Sequence, residues 1–274
     1  MKAAPFKYAR PDTLDEALSL LAEHGDAVRI MAGGQSLGAM LNMRIVTPQI
    51  LLDLNRLDEL STVSGLVTGA MLRQRDAMDD AALMKAVPLL AQALPNVGHY
   101  QTRNRGTLGG SVAHADPSAE IPLVLATLGG SVELKSERRR RTLSATEFFR
   151  SALVTAREPD EIVTSLHWPA IMPTAKTAFC EFAVREGDFA IVAVACVADS
   201  KSGAIRLGFG GCGETPLVVE RIGIGNDDDF VDEAVGGLTY RSDLLASATY
   251  RKQLAGVLAR QAISRAHKQE PRDA

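Results

Sequence analysis

Cysteine is scarce: Cys180, Cys196 and Cys212 are the only three in 274 residues. They form no CxxC pair and their number is odd, which argues against a disulfide framework, a zinc site or an iron–sulfur cluster held by this chain alone. Free cysteine is among the most buried residue types, so structural thiols are expected. An excess of positive charge is also missing. Lysine and arginine total 30 against 33 aspartates and glutamates, a formal charge of −3, and no basic field exists to attract nucleic acid or anionic lipid. No run approaches the ~20 apolar residues of a membrane span. The opening MKAAPFKYARPDT reaches Pro11 without the apolar centre of a signal peptide. A cytoplasmic protein that handles a small molecule or protein partners is expected, without repeats or low-complexity tracts.

What is present suffices for more than one core, since 46% of the chain is apolar and two or three lobes fit that length. TLDEALSLLAEHG places Leu14, Ala17, Leu18 and Leu21 at helical spacing, with Thr13 and Glu16 as a capping box and Gly25 as the stop. AVRIM and QILLDL read as strands flanking a glycine loop and a short helix, so the first fifty-odd residues form an α/β unit. LVTGAML follows as a strand, and AALMKAVPLLAQAL as a helix broken near Pro88. The polar stretch GHYQTRNRGTLGGSVAHADPSAEIP then reads as a binding loop. GGSVELKSERRRRTL is a hairpin with Arg138 to Arg141 at its tip, either solvated or touching a partner. Ser144 and Glu147 form another capping box, and EIVTSLHWP is a strand ended by Pro169. IMPTAKTA marks a boundary near 172. Beyond it lie three strand-like runs suited to an antiparallel sheet, then a helical period from Asp243 to Ala266 that includes Leu244, Leu245 and Val257.

The loop RIMAGGQSLGAML matches neither GxGxxG nor GxxxxGK[ST], so neither a Rossmann nor a P-loop nucleotide site is supported. Alone it is either a plain turn or an anion loop, in which Gly33 and Gly34 allow close backbone approach while Gln35 and Ser36 add donors. RNRGTLGGS repeats the chemistry with Gly106, Gly109, Gly110, Thr107, Ser111 and the amide of Asn104. Two such loops suit a ligand with two phosphates, such as a dinucleotide whose pyrophosphate lies between them.

These motifs carry a resemblance. P-x-x-L-x-E-A-L at 11–18, AGGQSL at 32–37, RNRGTLGGS at 103–111, ADP at 115–117 and DFA at 188–190 occur in the order found in one family. The chain resembles, over nearly its whole length, the FAD-binding medium subunits of the molybdenum hydroxylases. The resemblance implies an α+β protein. Residues 1–172 would form a two-lobed FAD-binding domain of the vanillyl-alcohol-oxidase (PCMH) type, with lobes of about 1–57 and 58–172. Residues 173–274 would add a three-stranded antiparallel sheet and a helical bundle. Carried over by position, Ala32, Gly33, Gly34, Gln35, Ser36 and Leu37, with Asn104, Thr107, Leu108, Gly109, Gly110 and Ser111, would hold FAD around its pyrophosphate. Asp116 and Glu120 would be acidic contacts, Val163 would lie near the adenine or flavin, and Phe189 near the isoalloxazine. Glu181 stands where relatives often carry a lysine near the flavin, which puts that tuning in doubt. No cysteine-bearing loop for a four-iron cluster is present.

By the same resemblance, substrate oxidation occurs at a molybdopterin cofactor on a large partner subunit. A small partner subunit carries two [2Fe-2S] clusters, the assembly is a dimer of heterotrimers, and no catalytic acid, base or metal ligand is required of this chain. A free-standing FAD-dependent reductase or oxidase on the same fold, and a module that has lost FAD, are the alternatives. A hydrolase built on Ser111, His114 and Asp116 is disfavoured, because neighbours on one loop seldom converge as a triad and no GxSxG elbow exists. His99 and His114 are expected to make loop hydrogen bonds or to lie near the flavin edge. Gly33→Asp or Gly110→Asp is expected to abolish FAD retention by placing a carboxylate against the pyrophosphate, checked by the flavin content of the purified variants.

Overall fold

Thr13 starts the first helix as read from the sequence: its hydroxyl accepts from the Glu16 N–H at 3.3 Å, and Gly25 at φ 47° stops Leu14–His24. The reciprocal arm differs, because the Glu16 carboxylate takes the N–H of Asp12 rather than that of Thr13. In the computed structural model, which describes residues 2–268, this helix covers a three-stranded parallel sheet. Ile50–Asp53 is the central strand, flanked by Val28–Met31 and by Lys7–Ala9. The last of these is too short to show a hydrophobic period and was not expected. Leu14, Ala17, Leu18 and Leu21 face the sheet in a core with Val28, Ile50, Leu52 and Leu54.

A five-stranded antiparallel sheet follows, with Ile162–His167 at its centre between Val67–Gly69 and the hairpin Ser131–Lys135/Arg140–Ser144. Helices Ala81–Ala86 and Pro88–Ala93, separated at Val87 as the proline requires, pack with Glu120–Leu128 into the central core. The capping box at Ser144 and Glu147 is formed in both directions. The glycine-rich stretch 98–122 is helical rather than a loop: it holds Tyr100–Arg105, Leu108–His114 and the start of Glu120–Leu128. Thr107 makes this possible by capping the Gly110 N–H at 2.9 Å.

The C-terminal sheet has four antiparallel strands, not three: Ala175–Phe182, Val192–Asp199, Ile205–Gly210 and Leu217–Arg221. The fourth was missed because its edge position leaves it half-exposed, with no clean alternation. Val192–Asp199 is apolar along its length because both faces are covered, by Glu120–Leu128 on one side and Ala248–His267 on the other. The expected helical bundle is two helices among the described residues, Asp227–Gly237 and Ala248–His267. The second starts later than its period suggested: Leu244 and Leu245 precede it and are exposed, and Val257 faces solvent. Fully buried Arg251 fastens it to the sheet by donating to the Ile191 and Gly211 carbonyls and to Asp243. All three cysteines are buried and free.

The arginine run is largely paired within the chain. Arg139 Nη2 lies 2.7 Å from Glu158, and Arg141 donates through Nε and Nη2 to both oxygens of Glu161 at 2.8 Å. Glu161 is fully buried. Its pKa is low because the Arg141 hydrogen bonds and the Glu158 N–H outweigh burial, which alone would raise it. Arg141→Met is therefore expected to cost about 2–3 kcal/mol by stranding a buried carboxylate that keeps only its weaker partners. Denaturant unfolding checks this, and Glu161→Gln should cost less than Arg141→Met.

Candidate functional site

The two glycine loops, seventy residues apart in the chain, meet. A Cβ built at Gly33 would overlap the Arg105 carbonyl, so only glycine lets the first loop seat on the second. Gly34 follows at φ 73° and turns the chain into helix Gln35–Asn42. The loops border a cleft of about 650 Å³. Ala32, Gly33, Gly34, Gln35, Ser36 and Leu37 line it from one side, and Thr107, Gly109, Gly110 and Ser111 from the other. Glu120, Val163 and Phe189 complete the sequence-read residues brought together there. Val163 sits at a β-bulge in the pairing of Ile162–His167 with Ser131–Lys135, and Phe189 is half-exposed at the cleft.

Asn104, Leu108, Asp116 and Glu181 are not part of the lining. Leu108 is fully buried in the central core, because its side chain leaves the helix on the side away from the loop. Asp116 closes an Asx turn by accepting the Ser118 N–H at 2.8 Å. The cleft also recruits residues the sequence did not reveal: Arg29, Met40, Gln74, Val97, Gly98, Thr102, Leu153 to Thr155, Arg157, Gly187 and Asp188. They come from dispersed segments: Arg29, Met40 and Asp188 lie within motifs that the sequence singled out and Gly98 and Thr102 within its polar stretch, while the rest belong to no local motif.

The loops are not equivalent donors. In the second helix all four leading N–H groups are already held: Leu108 by the Leu72 carbonyl, Gly109 by that of Ala70, Gly110 by the Thr107 hydroxyl and Ser111 by the Thr107 carbonyl. In the first helix the N–H groups of Gln35, Ser36 and Leu37 have no acceptor among the described residues. Three converging amides at the positive end of a helix suit an anionic group. The Gln35 side chain, expected as a ligand donor, instead braces its own loop by donating to the Gly33 carbonyl at 3.1 Å. Gln74 is buried in the lining, and its Oε1 has no hydrogen-bond partner among the described residues, so a donor from a ligand would satisfy it.

The cleft wall carries Arg29, Arg157, Glu120 and Asp188 besides His114. Burial lowers the pKa of His114, more than Asp116 raises it, which favours the neutral ring. Neither His114 nor His99 makes a side-chain hydrogen bond among the described residues, so the first of the two expectations for them is not met; His114 lines the cleft. Burial raises Glu120 to about 7, aided by the charge of Asp116, and raises Glu181 to about 8, aided by the charge of Glu120. Glu181 lies on Ala175–Phe182, and its Oε2 is buried without a partner among the described residues. No group of metal-ligating residues is found among the described residues, and no helix there is long and apolar enough to cross a membrane.

Comparison with known proteins gives the family. Residues 4–171 match the family described as the FAD binding domain in molybdopterin dehydrogenase. Caffeine dehydrogenase subunit beta of Pseudomonas sp. (strain CBB1) is 37% identical, covering 97% of this chain and 96% of the relative. The carbon monoxide dehydrogenase medium chain of Afipia carboxidovorans is 31% identical, covering 95% and 96%. Among solved structures, quinoline 2-oxidoreductase from Pseudomonas putida 86 aligns at a TM-score of 0.89 with 35% identity, covering 97% of this chain and 98% of that one. Carbon monoxide dehydrogenase from Hydrogenophaga pseudoflava aligns at 0.91 with 28% identity, covering 97% and 99%.

The raised carboxyls predict a pH dependence. Folded Glu120 and Glu181 keep protons that the unfolded chain, with the ordinary value of 4.5, has already released. The folded state thus binds more protons from there up to about pH 8, and stability falls as pH rises through that window. Glu181→Gln, permanently neutral, is expected to melt above wild type at about pH 9, with the gap closing toward about pH 5. Thermal melts across this range check it; an unchanged gap would show that Glu181 does not titrate in this way.

Proposed function

The chain belongs to the FAD-binding subunits of the molybdenum hydroxylases, and from that premise we propose that it is the electron-transfer subunit of a heterotrimer. Its partners would be a large molybdopterin-binding subunit and a small subunit with two [2Fe-2S] clusters, in a dimer of heterotrimers. When bound, FAD supplies a carrier that accepts electrons singly from iron–sulfur clusters and releases one or two to an external acceptor. The observation that carries this reading is the set of Gln35, Ser36 and Leu37 amides, which have no acceptor among the described residues and belong to a cleft whose opposite wall is the second glycine loop.

In this reading the Gln35–Leu37 amides and the hydroxyls of Ser36 and Ser111 take the pyrophosphate, and the neutral donors share its charge without a lysine. The second loop acts chiefly as a wall, since its amides are already taken by the carbonyls of Ala70 and Leu72 and by Thr107. Gln74 offers an acceptor to a polar edge of the dinucleotide. Phe189, half-exposed at the cleft, covers the apolar face of the ring system. The apolar lining of Leu37, Met40, Val97 and Val163 excludes water around it. The residues of the cleft hold and orient a carrier; the reading gives none of them a proton transfer to an organic substrate.

Two measurements test the proposal. The chain expressed alone should bind FAD one to one, seen by quenching of flavin fluorescence, and should oxidise no organic substrate. Tagged chain purified from its native source should bring down about four iron atoms and one molybdenum per flavin, the content of two [2Fe-2S] clusters and one molybdenum centre. Substrate turnover by the isolated flavoprotein, with no metal, would overturn the proposal in favour of a free-standing flavoenzyme.

A further inference from the structure

Behind the two glycine loops runs a chain of hydrogen bonds to which no part in ligand binding is assigned. It starts at Asp53, 5% exposed at the end of the central strand, whose Oδ2 accepts from the Tyr8 hydroxyl. Asp53 Oδ1 accepts from the Asn55 backbone N–H at 2.9 Å and from Asn55 Nδ2. Asn55 Nδ2 also donates to the Ala32 carbonyl at 2.9 Å, and Asn55 Oδ1 accepts from Arg73 Nη2. Arg73 Nη1 in turn donates to the Arg105 carbonyl.

The two carbonyls at the ends of this chain are significant. Ala32 immediately precedes Gly33, and the Arg105 carbonyl is the atom against which Gly33 seats. The Asn55–Arg73 pair therefore grips one backbone carbonyl from each loop, at the point where the loops touch. An amide suits the middle position because it both donates and accepts, which neither a carboxylate nor a hydrocarbon can do there. A guanidinium suits the next because its planar fork reaches two acceptors at once. Arg73 is also tied to the second loop through its own backbone, by a bridge to Thr107 and by the adjacent Gln74 N–H, which donates to the Gly106 carbonyl at 2.9 Å.

We propose that Asn55 and Arg73 are positioning residues that set the separation of the two glycine loops, and through it the fit of the cleft to a dinucleotide. The fit to FAD rests on the functional reading above; the setting of the loops does not.

The full-length apo chain tests both parts. Amide hydrogen exchange is followed, for the first loop, at Gly38–Met43, the hydrogen-bonded amides of the helix that this loop starts, and, for the second, at Gly106–Ser111; the dissociation constant for FAD is measured by fluorescence quenching, both well below the melting temperature. Asn55→Ala and Arg73→Ala are each expected to speed exchange in both loops at once, leave Val28–Met31 protected, and weaken FAD binding about tenfold or more. Because the residues act in series, the double variant should lie within about twofold of the weaker single. Arg73→Lys, which keeps the charge but loses the fork, should fall between wild type and Arg73→Ala, and it decides the matter if Arg73→Ala does not fold. Exchange altered in one loop only, losses that multiply in the double variant, or FAD affinity within twofold of wild type in the single variants would overturn the proposal. A wild-type chain that binds no FAD would sink the functional reading instead, while the exchange pattern would still decide whether the bridge sets the loops.

Discussion

The contact of Gly33 with the Arg105 carbonyl is the constraint on which the rest of the site depends. It joins a loop at the carboxyl end of a parallel sheet to a loop held against the segment Ala70–Gln74, and any side chain at residue 33 would drive them apart. Each loop reaches that contact by its own route. The first is delivered by Val28–Met31, whose carboxyl end is where open α/β sheets place their ligands. The second is pinned by backbone hydrogen bonds to Ala70, Leu72 and Gln74 before it begins its helix.

This arrangement explains why two similar sequences have different duties. AGGQS and TLGGS read alike, yet only the first leaves its leading helical amides without an acceptor among the described residues. The second spends its amides on capping and on antiparallel contact, and so becomes a fixed wall. A site with one set of free donors and one rigid wall positions an anion without closing around it. Such a site suits a cofactor that stays in place while electrons move, rather than a substrate that must enter and leave.

Much of the architecture was legible where local chemistry decides it. Thr13, Gly25, Ser144, Glu147 and Pro88 start, stop or break helices by interactions within a few residues, and they do so here. The stretch 98–122 was misread because glycine and polar side chains are loop signals, whereas tertiary packing and the Thr107 cap make helices of it. Leu244 and Leu245 were misread for the opposite reason, since apolar spacing says nothing about which side has a neighbour. In the cleft, the two glycine loops announced themselves, and Glu120, Val163 and Phe189 came through resemblance. Gln74, Leu153 and Arg157 were invisible because only the fold brings their segments together. Asn55 and Arg73 were invisible too, because their importance lies in which carbonyls they reach.

Glu120, in the cleft lining, and Glu181, buried outside the lining but coupled to it by charge, give this chain a character of its own. Where the family resemblance leads one to expect a lysine, the fold puts a carboxyl that feels the charge of another carboxyl, Glu120. Burial dominates both shifts, so below about pH 7 the pair holds its protons and contributes no charge to this side of the cleft. A cationic wall would favour a negatively charged ligand at every physiological pH; a protonated acid wall is neutral at low pH and turns anionic as pH rises. The same two residues that make the fold less stable toward alkali therefore make the cleft more negative there. The anionic part of a ligand is then left to the amides of Gln35–Leu37, which do not titrate. A fixed anion site in the same cleft as a titrating carboxyl keeps its ligand anchored while the electrostatic environment around it changes with pH.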